Sequence, residues 1–406
     1  MKTLIKNIGC IATGMGSAAL SGNNQGKISF TENAWILCED EKIIDIGTGA
    51  CDKLTDNVVD AQGNLVTPGL VDSHTHLVFG GWRENELALK LRGVEYLDIL
   101  RRGGGILSTV EATRTASEQE LIEKTLNSLE DMLMLGTTTC EAKSGYGLNL
   151  ETELKQLNVT KKLNDIQPVE LVSTFMAAHA VPKEYKDNKS AYIDEIINIM
   201  LPVVAQKKLA EYCDVFCETA VFNTDESRRI LTAAQKLGLG AKIHADEIDA
   251  IGGSELAGEI KAISSEHLIS CTDSGIKSMA KGGTIGVCLP CTSFYLGKNF
   301  APARKMIVEG VPVAIASDYN PGSTPNFNLQ LAMNIGCYKY RMTPEEVLNA
   351  VTINAASAIG RADMIGTVEV GKQADLLIWN ATNLNRIFYR YGFNQVKTVI
   401  KKGKII

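Results

Sequence analysis

The sequence predicts an α/β protein, a (β/α)8 TIM-like barrel with a small β-sandwich domain formed by the N- and C-terminal segments. Three observations support this fold class. Short apolar runs alternate with helical stretches through the middle of the chain. Both ends are rich in short strands separated by turn residues. The five histidines all fall at or just after the ends of predicted strands, the face on which barrels build active sites.

The two ends of the chain contain apolar runs separated by Gly, Asn and Asp clusters, a pattern typical of strands and turns. The predicted terminal strands are residues 3–5, 34–38, 42–46, 375–379 and 396–400. We therefore expect residues 1–66 and 366–406 to pair into one composite β-sandwich domain. Residues 67–365 are then expected to form the barrel domain.

The middle of the chain supplies the barrel strands. The predicted strands are residues 70–76, 137–143, 169–177, 214–218, 240–245, 263–270, 284–289 and 312–317. Helix signals lie between them: Ser117 and Glu120 have capping-box spacing, residues 225–237 form a further helical stretch, and Thr343-Pro344 is typical of a helix start. A doubly wound open sheet would show a similar alternation, so the pattern favours the barrel without excluding that sheet.

Composition narrows the class of protein. The chain has 406 residues, a net charge of −6 and 45% hydrophobic residues, which fits an ordinary soluble globular protein and argues against nucleic acid as a partner. There is no run of about 18 apolar residues, so we expect no membrane span. Lys6 and Asn7 interrupt the N-terminal apolar stretch before a signal peptide could form, so we expect a cytoplasmic protein. The ten scattered cysteines predict reduced thiols, and Cys288-x-x-Cys291 is interpreted as structural.

His74 and His76 are two residues apart at the end of the first predicted barrel strand. Because strand side chains alternate between faces, both imidazoles point to the same side and can reach one metal ion. His179, His244 and His267 follow at the ends of the third, fifth and sixth predicted strands. The histidines therefore predict a metal site at the mouth of the barrel.

Four residues complete the predicted chemistry. His244 is a third candidate ligand, and Asp318 ends the eighth predicted strand, although an aspartate before Asn320-Pro321 could instead be a turn or helix cap. Nitrogen and oxygen ligands suit one divalent or trivalent ion, Zn or Fe. Glu247 is placed to move protons, and His267 to orient the nucleophile or stabilise an intermediate. This set predicts metal-assisted hydrolysis of a C–N bond.

These residues resemble the amidohydrolase superfamily. The match rests on PGLVDSHTH (68–76), the later strand histidines, Asp318 and the flanking β-segments. Further motifs are similar to the branch of the superfamily that hydrolyses 4-imidazolone-5-propanoate to N-formimidoyl-L-glutamate in histidine breakdown. These motifs are THLVFGGWRE (75–84), GGGILSTV (103–110), EAKSGYGL (141–148), KIHADEI (242–248) and SDYNPGS (317–323).

The resemblance implies specific roles and partners. The implied metal ligands are His74, His76, His244 and Asp318. The implied substrate-binding residues are Arg83, Tyr146, His179, Glu247, Asn320, Gly322 and Ser323. The implied catalytic residues are Glu247, His267 and Asp318. The implied substrate is a small molecule bearing a carboxylate, for which the forked guanidinium of Arg83 is suited, although a salt bridge with Glu84 or Glu86 is its simpler interpretation. A homodimer is common among proteins of this kind and is expected here.

Two other functions stay open at this level. One is a mononuclear amidohydrolase that deaminates a cytosine- or guanine-like heterocycle, which would share the metal ligands but not need Arg83. The other is an inactive barrel used as an assembly scaffold, which would be expected to have lost ligands. Lys143 ends the second predicted strand and is interpreted as structural or electrostatic, because the metal-bridging lysine of two-metal relatives typically lies on another strand. One metal ion is therefore expected.

Overall fold

A computed structural model describes residues 1–94 and 104–406, so Gly103 at the start of one motif lies outside the described residues. Both ends of the chain contribute to one eight-stranded sheet, in the order β16-β15-β14-β5-β1-β2-β3, with β4 paired to β1. Its strands are β1 (Lys2–Thr13), β2 (Ser29–Glu39), β3 (Lys42–Thr48), β4 (Asn57–Asp60), β5 (Leu65–Pro68), β14 (Leu376–Trp379), β15 (Val396–Lys401) and β16 (Lys404–Ile405). The sheet curls around an aliphatic core that includes Ile5, Ile36 and Leu376.

The middle of the chain forms a nearly closed barrel of eight parallel strands that follow one another in chain order. They are β6 (Leu70–Asp72), β7 (Thr137–Lys143), β8 (Glu170–Ala178), β9 (Tyr212–Cys217), β10 (Gly240–Ala245), β11 (Ser264–His267), β12 (Ile285–Cys288) and β13 (Val313–Ile315). The predicted fold class is confirmed, and each of the eight predicted runs overlaps one of these strands. The first is shorter than expected, because regular pairing of β6 ends at Asp72.

The barrel closes beyond the regular ends of β6 and β13. A parallel bridge joins Thr75 to Tyr319. The backbone amide of Asp318 donates to the carbonyl of His74 over 3.0 Å, and that of Ser317 donates to Asp72 Oδ1, also over 3.0 Å. The segment carrying His74 is thereby fixed against the segment carrying Asp318.

Helices surround the barrel and connect its strands. Their bounds are α1 (Leu87–Leu91), α2 (Ile106–Thr115), α3 (Glu118–Met134), α4 (Leu150–Ile166), α5 (Lys189–Glu195), α6 (Leu201–Gln206), α7 (Thr224–Lys236), α8 (Gly253–Glu259), α9 (Asp273–Gly282), α10 (Pro290–Leu296), α11 (Ala303–Val308), α12 (Leu329–Tyr340), α13 (Pro344–Ala350), α14 (Ile353–Ala358) and α15 (Leu384–Tyr389), with a π-helical turn at Ile196–Met200. Ser117 and Thr343 form the capping boxes that begin α3 and α13.

Where the chain first passes from the terminal sheet into the barrel, the single residue Gly69 lies between β5 and β6. A Cβ at this position would lie 2.3 Å from Thr138 Oγ1, so only glycine fits against the start of β7. Across the sheet, the Trp379 indole donates to Thr67 Oγ1 over 2.8 Å. The domain boundaries at 66 and 366 stay a prediction; β5, at Leu65–Pro68, crosses the first of them.

The ten cysteines are free thiols, and Cys288 and Cys291 are both buried. Burial raises the pKa of the Cys291 thiol to about 12, which disfavours the reactive thiolate. Within residues 1–94 and 104–406, no helix combines the length and apolar character needed to cross a bilayer.

Candidate active site

The five histidines meet at the carboxyl ends of the barrel strands. The ring centroid of His74 lies 5.4 Å from that of His76, 4.6 Å from that of His244 and 5.7 Å from that of His267. His179 stacks on His76 with a centroid separation of 4.7 Å. The structure thus brings together imidazoles that lie up to 193 positions apart in the sequence.

Four side chains converge on one point, as a metal site requires. The Nε2 atoms of His76 and His244 lie 3.2 Å apart. Asp318 Oδ1 lies 3.5 Å from His74 Nε2 and 3.8 Å from His76 Nε2. Ligands held at 2.0–2.1 Å from a tetrahedral ion are separated by about 3.3 Å. The observed spacings therefore fit one ion between His74, His76, His244 and Asp318.

Burial keeps these imidazoles in the form that binds metals. It lowers the pKa of His74 and of His76 well below the usual range, and that of His244 to about 3. A neutral imidazole has a free nitrogen lone pair. Among the described residues, His74 Nε2 has no hydrogen-bond partner although it is buried. An unsatisfied buried nitrogen that faces a carboxylate and two other imidazoles is well explained by an ion.

Asp318 is oriented by the residues around it. Thr292 Oγ1 donates to Asp318 Oδ2 over 2.6 Å, which leaves Oδ1 facing the histidines. The backbone of Asp318 has a φ of 56°, in the left-handed region that L-residues rarely adopt. Burial raises the pKa of this carboxyl to about 6. The strained turn after β13 therefore aims one carboxylate oxygen at the candidate metal site.

Glu247 and His267 form a second group beside the ligands. Glu247 Oε2 lies 3.6 Å from His267 Nε2. Burial, with a smaller contribution from the charge of Glu218, raises the pKa of Glu247 to about 7. A carboxyl that titrates near neutrality can both accept and return a proton. His267 also borders the metal space, since nitrogens of His74, His244 and His267 lie within 4.8 Å of one another.

Arg83 lies in the loop after β6 and its side chain is largely buried. Its Nε donates to Glu86 Oε1 and its Nη2 to Glu86 Oε2, each over 3.1 Å. Lys90 Nζ lies 3.2 Å from Glu86 Oε2 and donates to the carbonyl of Gly322 over 2.9 Å. Glu86 is thus the partner of Arg83, as the simpler interpretation of the sequence held. Among the described residues, two cations against one carboxylate leave a surplus positive charge for an anionic ligand.

The loop after β13 brings Gly322 to the Arg83 guanidinium. A Cβ on Gly322 would lie 2.2 Å from Arg83 Nη1, so a side chain there would displace the guanidinium. Asn320 Oδ1 accepts from the backbone amides of Gly322 and Ser323, both over 2.8 Å. The three loop residues singled out from the sequence therefore form one turn against Arg83.

Tyr146 and His179 line the other side of the histidine cluster. Their rings are 5.3 Å apart, and His179 Nδ1 lies 3.1 Å from the carbonyl oxygen of Gly145. Gly145 has a φ of 111° and no room for a Cβ beside His179. Every residue that the sequence predicted for the site lies at this end of the barrel. The role of each residue stays a prediction.

Sequence reasoning missed a set of buried charges below the histidines. The missed residues are Glu141, Asp214, Lys242 and Glu266, and they surround Lys143 in the barrel interior. Lys143, interpreted as structural or electrostatic, forms ion pairs with Glu141 and Asp214. The sequence did offer one signal for these charges. In KIH at 242–244, the charged lysine lies two residues before the histidine, and side chains two residues apart point to the same face of a strand.

The chain was compared with known proteins. Residues 65–406 match the family model described as the amidohydrolase family. The chain belongs to this family. Among curated relatives, imidazolonepropionase from Fusobacterium nucleatum is 58% identical over 92% of this chain and 91% of its own length. Those from Alkaliphilus metalliredigens and Bacillus velezensis are 52% and 50% identical, covering 99% and 100% of this chain and 97% and 96% of their own. Within the family, the chain falls among the imidazolonepropionases.

Solved structures share the fold at low sequence identity. An adenosine deaminase from Xanthomonas campestris with bound zinc has a TM-score of 0.74 and 19% identity, over 99% of this chain and 92% of its own. An atrazine chlorohydrolase from Arthrobacter aurescens complexed with zinc and atraton has a TM-score of 0.70 and 15% identity, over 99% and 94%. The family match and the converging His and Asp side chains support a metal ion in this site.

Proposed function

We propose that this chain hydrolyses 4-imidazolone-5-propanoate to N-formimidoyl-L-glutamate, the ring-opening step of histidine degradation. The observation that carries the proposal is the convergence of His74, His76, His244 and Asp318 beside Glu247 at the mouth of the barrel. Relatives at 48–58% identity over nearly the whole chain bear the name of this activity. No feature of the site favours deamination of a neutral heterocycle over this reaction.

We propose that the site takes one ion, Zn or Fe, held by His74, His76, His244 and Asp318. Imidazole and carboxylate ligands suit both metals. Such an ion would lower the pKa of a water molecule toward neutrality and polarise a carbonyl. His267 is not a metal ligand in this proposal, because its Nε2 atom faces the carboxylate of Glu247.

The protein's own residues handle the protons. Glu247, with a pKa near neutrality, takes a proton from the attacking water and returns it to the ring nitrogen as the C–N bond breaks. Cleavage leaves a carboxylic acid at the former ring carbonyl and a formimidoyl (amidine) group on the glutamate nitrogen. The acid carries the second proton of the water, which passes to the basic amidine, so the product has a carboxylate and a protonated formimidoyl group. His267 lies against Glu247 and orients its carboxylate toward the reacting atoms. Because one group serves as both base and acid, the reaction needs no net proton from solvent.

The substrate's propanoate is assigned to Arg83, whose guanidinium is suited to bidentate carboxylate binding. The turn formed by Asn320, Gly322 and Ser323 lies against that guanidinium and borders the same space. Tyr146 and His179 lie on the opposite wall, where they can bind the polar atoms of the ring. A cytoplasmic homodimer is proposed with this activity.

The test is hydrolysis of 4-imidazolone-5-propanoate, generated in place from urocanate, with formimidoylglutamate quantified as product. Turnover that disappears on chelation and returns with Zn²⁺ or Fe²⁺ is expected. An Arg83→Met variant should lose this activity and gain none on neutral aminated heterocycles. Failure of the metal-loaded protein to turn over, with activity on cytosine- or guanine-like rings, would assign the site to deamination.

A further inference from the structure

Below the metal ligands, the barrel interior holds five charged side chains that are shielded completely from solvent. They are Glu141, Lys143, Asp214, Lys242 and Glu266. Lys143 Nζ lies 2.7 Å from Asp214 Oδ2 and 2.9 Å from Glu141 Oε2, and Lys242 Nζ lies 2.9 Å from Glu141 Oε1. The set, here called the charge network, links strands β7, β9, β10 and β11 through these ion pairs.

Stability alone does not account for the charge network. Barrel interiors are usually filled by branched aliphatic side chains. Replacing a buried ion pair by apolar residues of similar volume is often neutral or stabilising, because desolvation offsets the attraction between the charges. A network of this size therefore calls for a function that apolar side chains could not supply.

The charge network faces the metal site through Asp214. Asp214 Oδ2 lies 3.0 Å from His244 Nδ1, and Asp214 Oδ1 accepts from the backbone amide of His244 over 3.2 Å. The His244 Nδ1 and Asp214 Oδ2 atoms are within hydrogen-bonding distance, although the N–H bond does not point directly at that oxygen. By contrast, the carboxylate contacts of His74 and His76 are made by Nε2, both to Asp318.

A carboxylate at Nδ1 determines which nitrogen of the ring is free. It holds the hydrogen on Nδ1 and leaves the lone pair on Nε2, the atom that lies 3.2 Å from His76 Nε2. Lys143 and the backbone amide of His244 fix Asp214 from two sides. If Asp214 turned away from the ring, Lys143 would lose the closer of its two buried carboxylate partners.

We infer that Asp214 is a positioning residue that sets the tautomer and orientation of His244 for metal binding, and that Lys143 anchors it there. The inference rests on the proposed ligand set but not on the proposed substrate. Its test therefore uses the metal alone. Outer carboxylates of this kind change metal affinity by about 10- to 100-fold when they are removed.

The experiment measures metal affinity of the full-length protein by competition with a chromophoric chelator, with Zn²⁺ as the probe. Asp214→Asn keeps the size of the side chain and is expected to weaken Zn²⁺ binding about 10- to 100-fold. It should also shift the visible absorption of the Co²⁺-loaded protein. Glu141→Gln is the matched control: it removes an equally buried carboxylate that also pairs with Lys143. We expect its Zn²⁺ affinity to stay within about threefold of the original and its Co²⁺ spectrum to stay unchanged.

Equal losses of affinity in the two variants would overturn the inference, as would an unchanged affinity in Asp214→Asn. If Asp214→Asn does not fold, the unmodified Zn²⁺ protein still decides the question. A long-range ¹H–¹⁵N spectrum of its histidines, assigned by His244→Gln, should show His244 with hydrogen on Nδ1. A His244 ring without that hydrogen would overturn the inference. Absence of imidazolone hydrolysis would bear on the proposed function and leave this result standing.

Discussion

The barrel and the terminal sheet each contain eight strands, but the side chains that they enclose differ. The barrel encloses histidines and buried charges near its mouth, whereas the terminal sheet curls around side chains such as Ile5, Ile36 and Leu376. Burial of apolar side chains generally stabilises a fold, whereas buried charges cost free energy unless they are fully paired. The comparison teaches that the candidate site is built in the barrel, whereas the terminal sheet contributes apolar burial and none of the candidate site residues.

The largest expected effect tests the barrel half of this comparison. Replacing Glu247 by Gln removes the group proposed to move protons and is expected to lower kcat by about 10²- to 10⁴-fold. Metal content, measured by elemental analysis, should not change, because Glu247 is not a proposed ligand.

The control for this change is Glu259→Gln, which alters an exposed glutamate paired with Arg228. Its kcat should equal that of the original protein. A Glu247→Gln variant with full activity would contradict the proposal that Glu247 moves protons in the reaction.

The second prediction concerns the terminal sheet. Replacing the fully buried Ile36 by Ala is expected to lower the free energy of unfolding by about 2–5 kcal/mol, because it removes buried apolar surface and leaves a cavity. Chemical denaturation measures this loss. Ile36→Val, the smaller truncation, should cost only about 0.5–1.5 kcal/mol.

The folded fraction of Ile36→Ala should keep its kcat, because Ile36 belongs to the core of the terminal sheet and not to the site. A kcat that falls in proportion to the size of the truncation would contradict the separation of the site from the terminal sheet. It would mean that the terminal sheet shapes the site directly.

A third prediction uses the titration of Glu247. Because a base must be ionised, and burial raises the pKa of Glu247 to about 7, kcat/KM should fall as pH decreases below that value. The slope should approach about tenfold per pH unit. A pH–rate profile of the metal-loaded protein measures it, and the residual activity of Glu247→Gln should lack this limb. A limb that persists in the variant would assign the titration to another group.

The smallest predicted effect lies on the outside of the barrel. Replacing Ser117 by Ala removes the capping box of α3 and is expected to cost about 1 kcal/mol of stability without changing kcat. Thermal unfolding measures the loss. Glu120→Gln keeps a side-chain acceptor for the backbone amide of Ser117 and should cost less. A larger loss than that of Ile36→Ala would show that this helix cap stabilises the chain more than a core side chain of the terminal sheet does.

Much of this architecture could be predicted from local signals. Apolar runs located the barrel strands, and serine or threonine three residues before glutamate located the starts of α3 and α13. The position of His244 at a strand end was sufficient to place it near His74, because the carboxyl ends of barrel strands meet on one face. These features depend on neighbouring residues or on a rule of the fold.

The partners of buried charges were not predictable in the same way. Asp214 and Lys143 are 71 positions apart, and no local pattern pairs them. Their contact follows from the strand register that joins β7, β8 and β9. Likewise, both Glu84 and Glu86 were candidate salt-bridge partners of Arg83 in the sequence. The conformation of the loop determines that Arg83 pairs with Glu86. The arrangement of strands and loops in space, rather than the local sequence, determines these contacts.

The pairing of β5 with β14 constrains how the chain is made. Residues 66–68 bond to residues 376–378, so more than 300 residues are synthesised between the two strands. At about 5–20 residues per second, the edge of β5 waits about 15–60 s on the ribosome for its partner. An unpaired edge is open to pairing with other chains during that time. The emerging polypeptide therefore completes the terminal sheet last, and its yield in a cell depends on protection of that edge during translation.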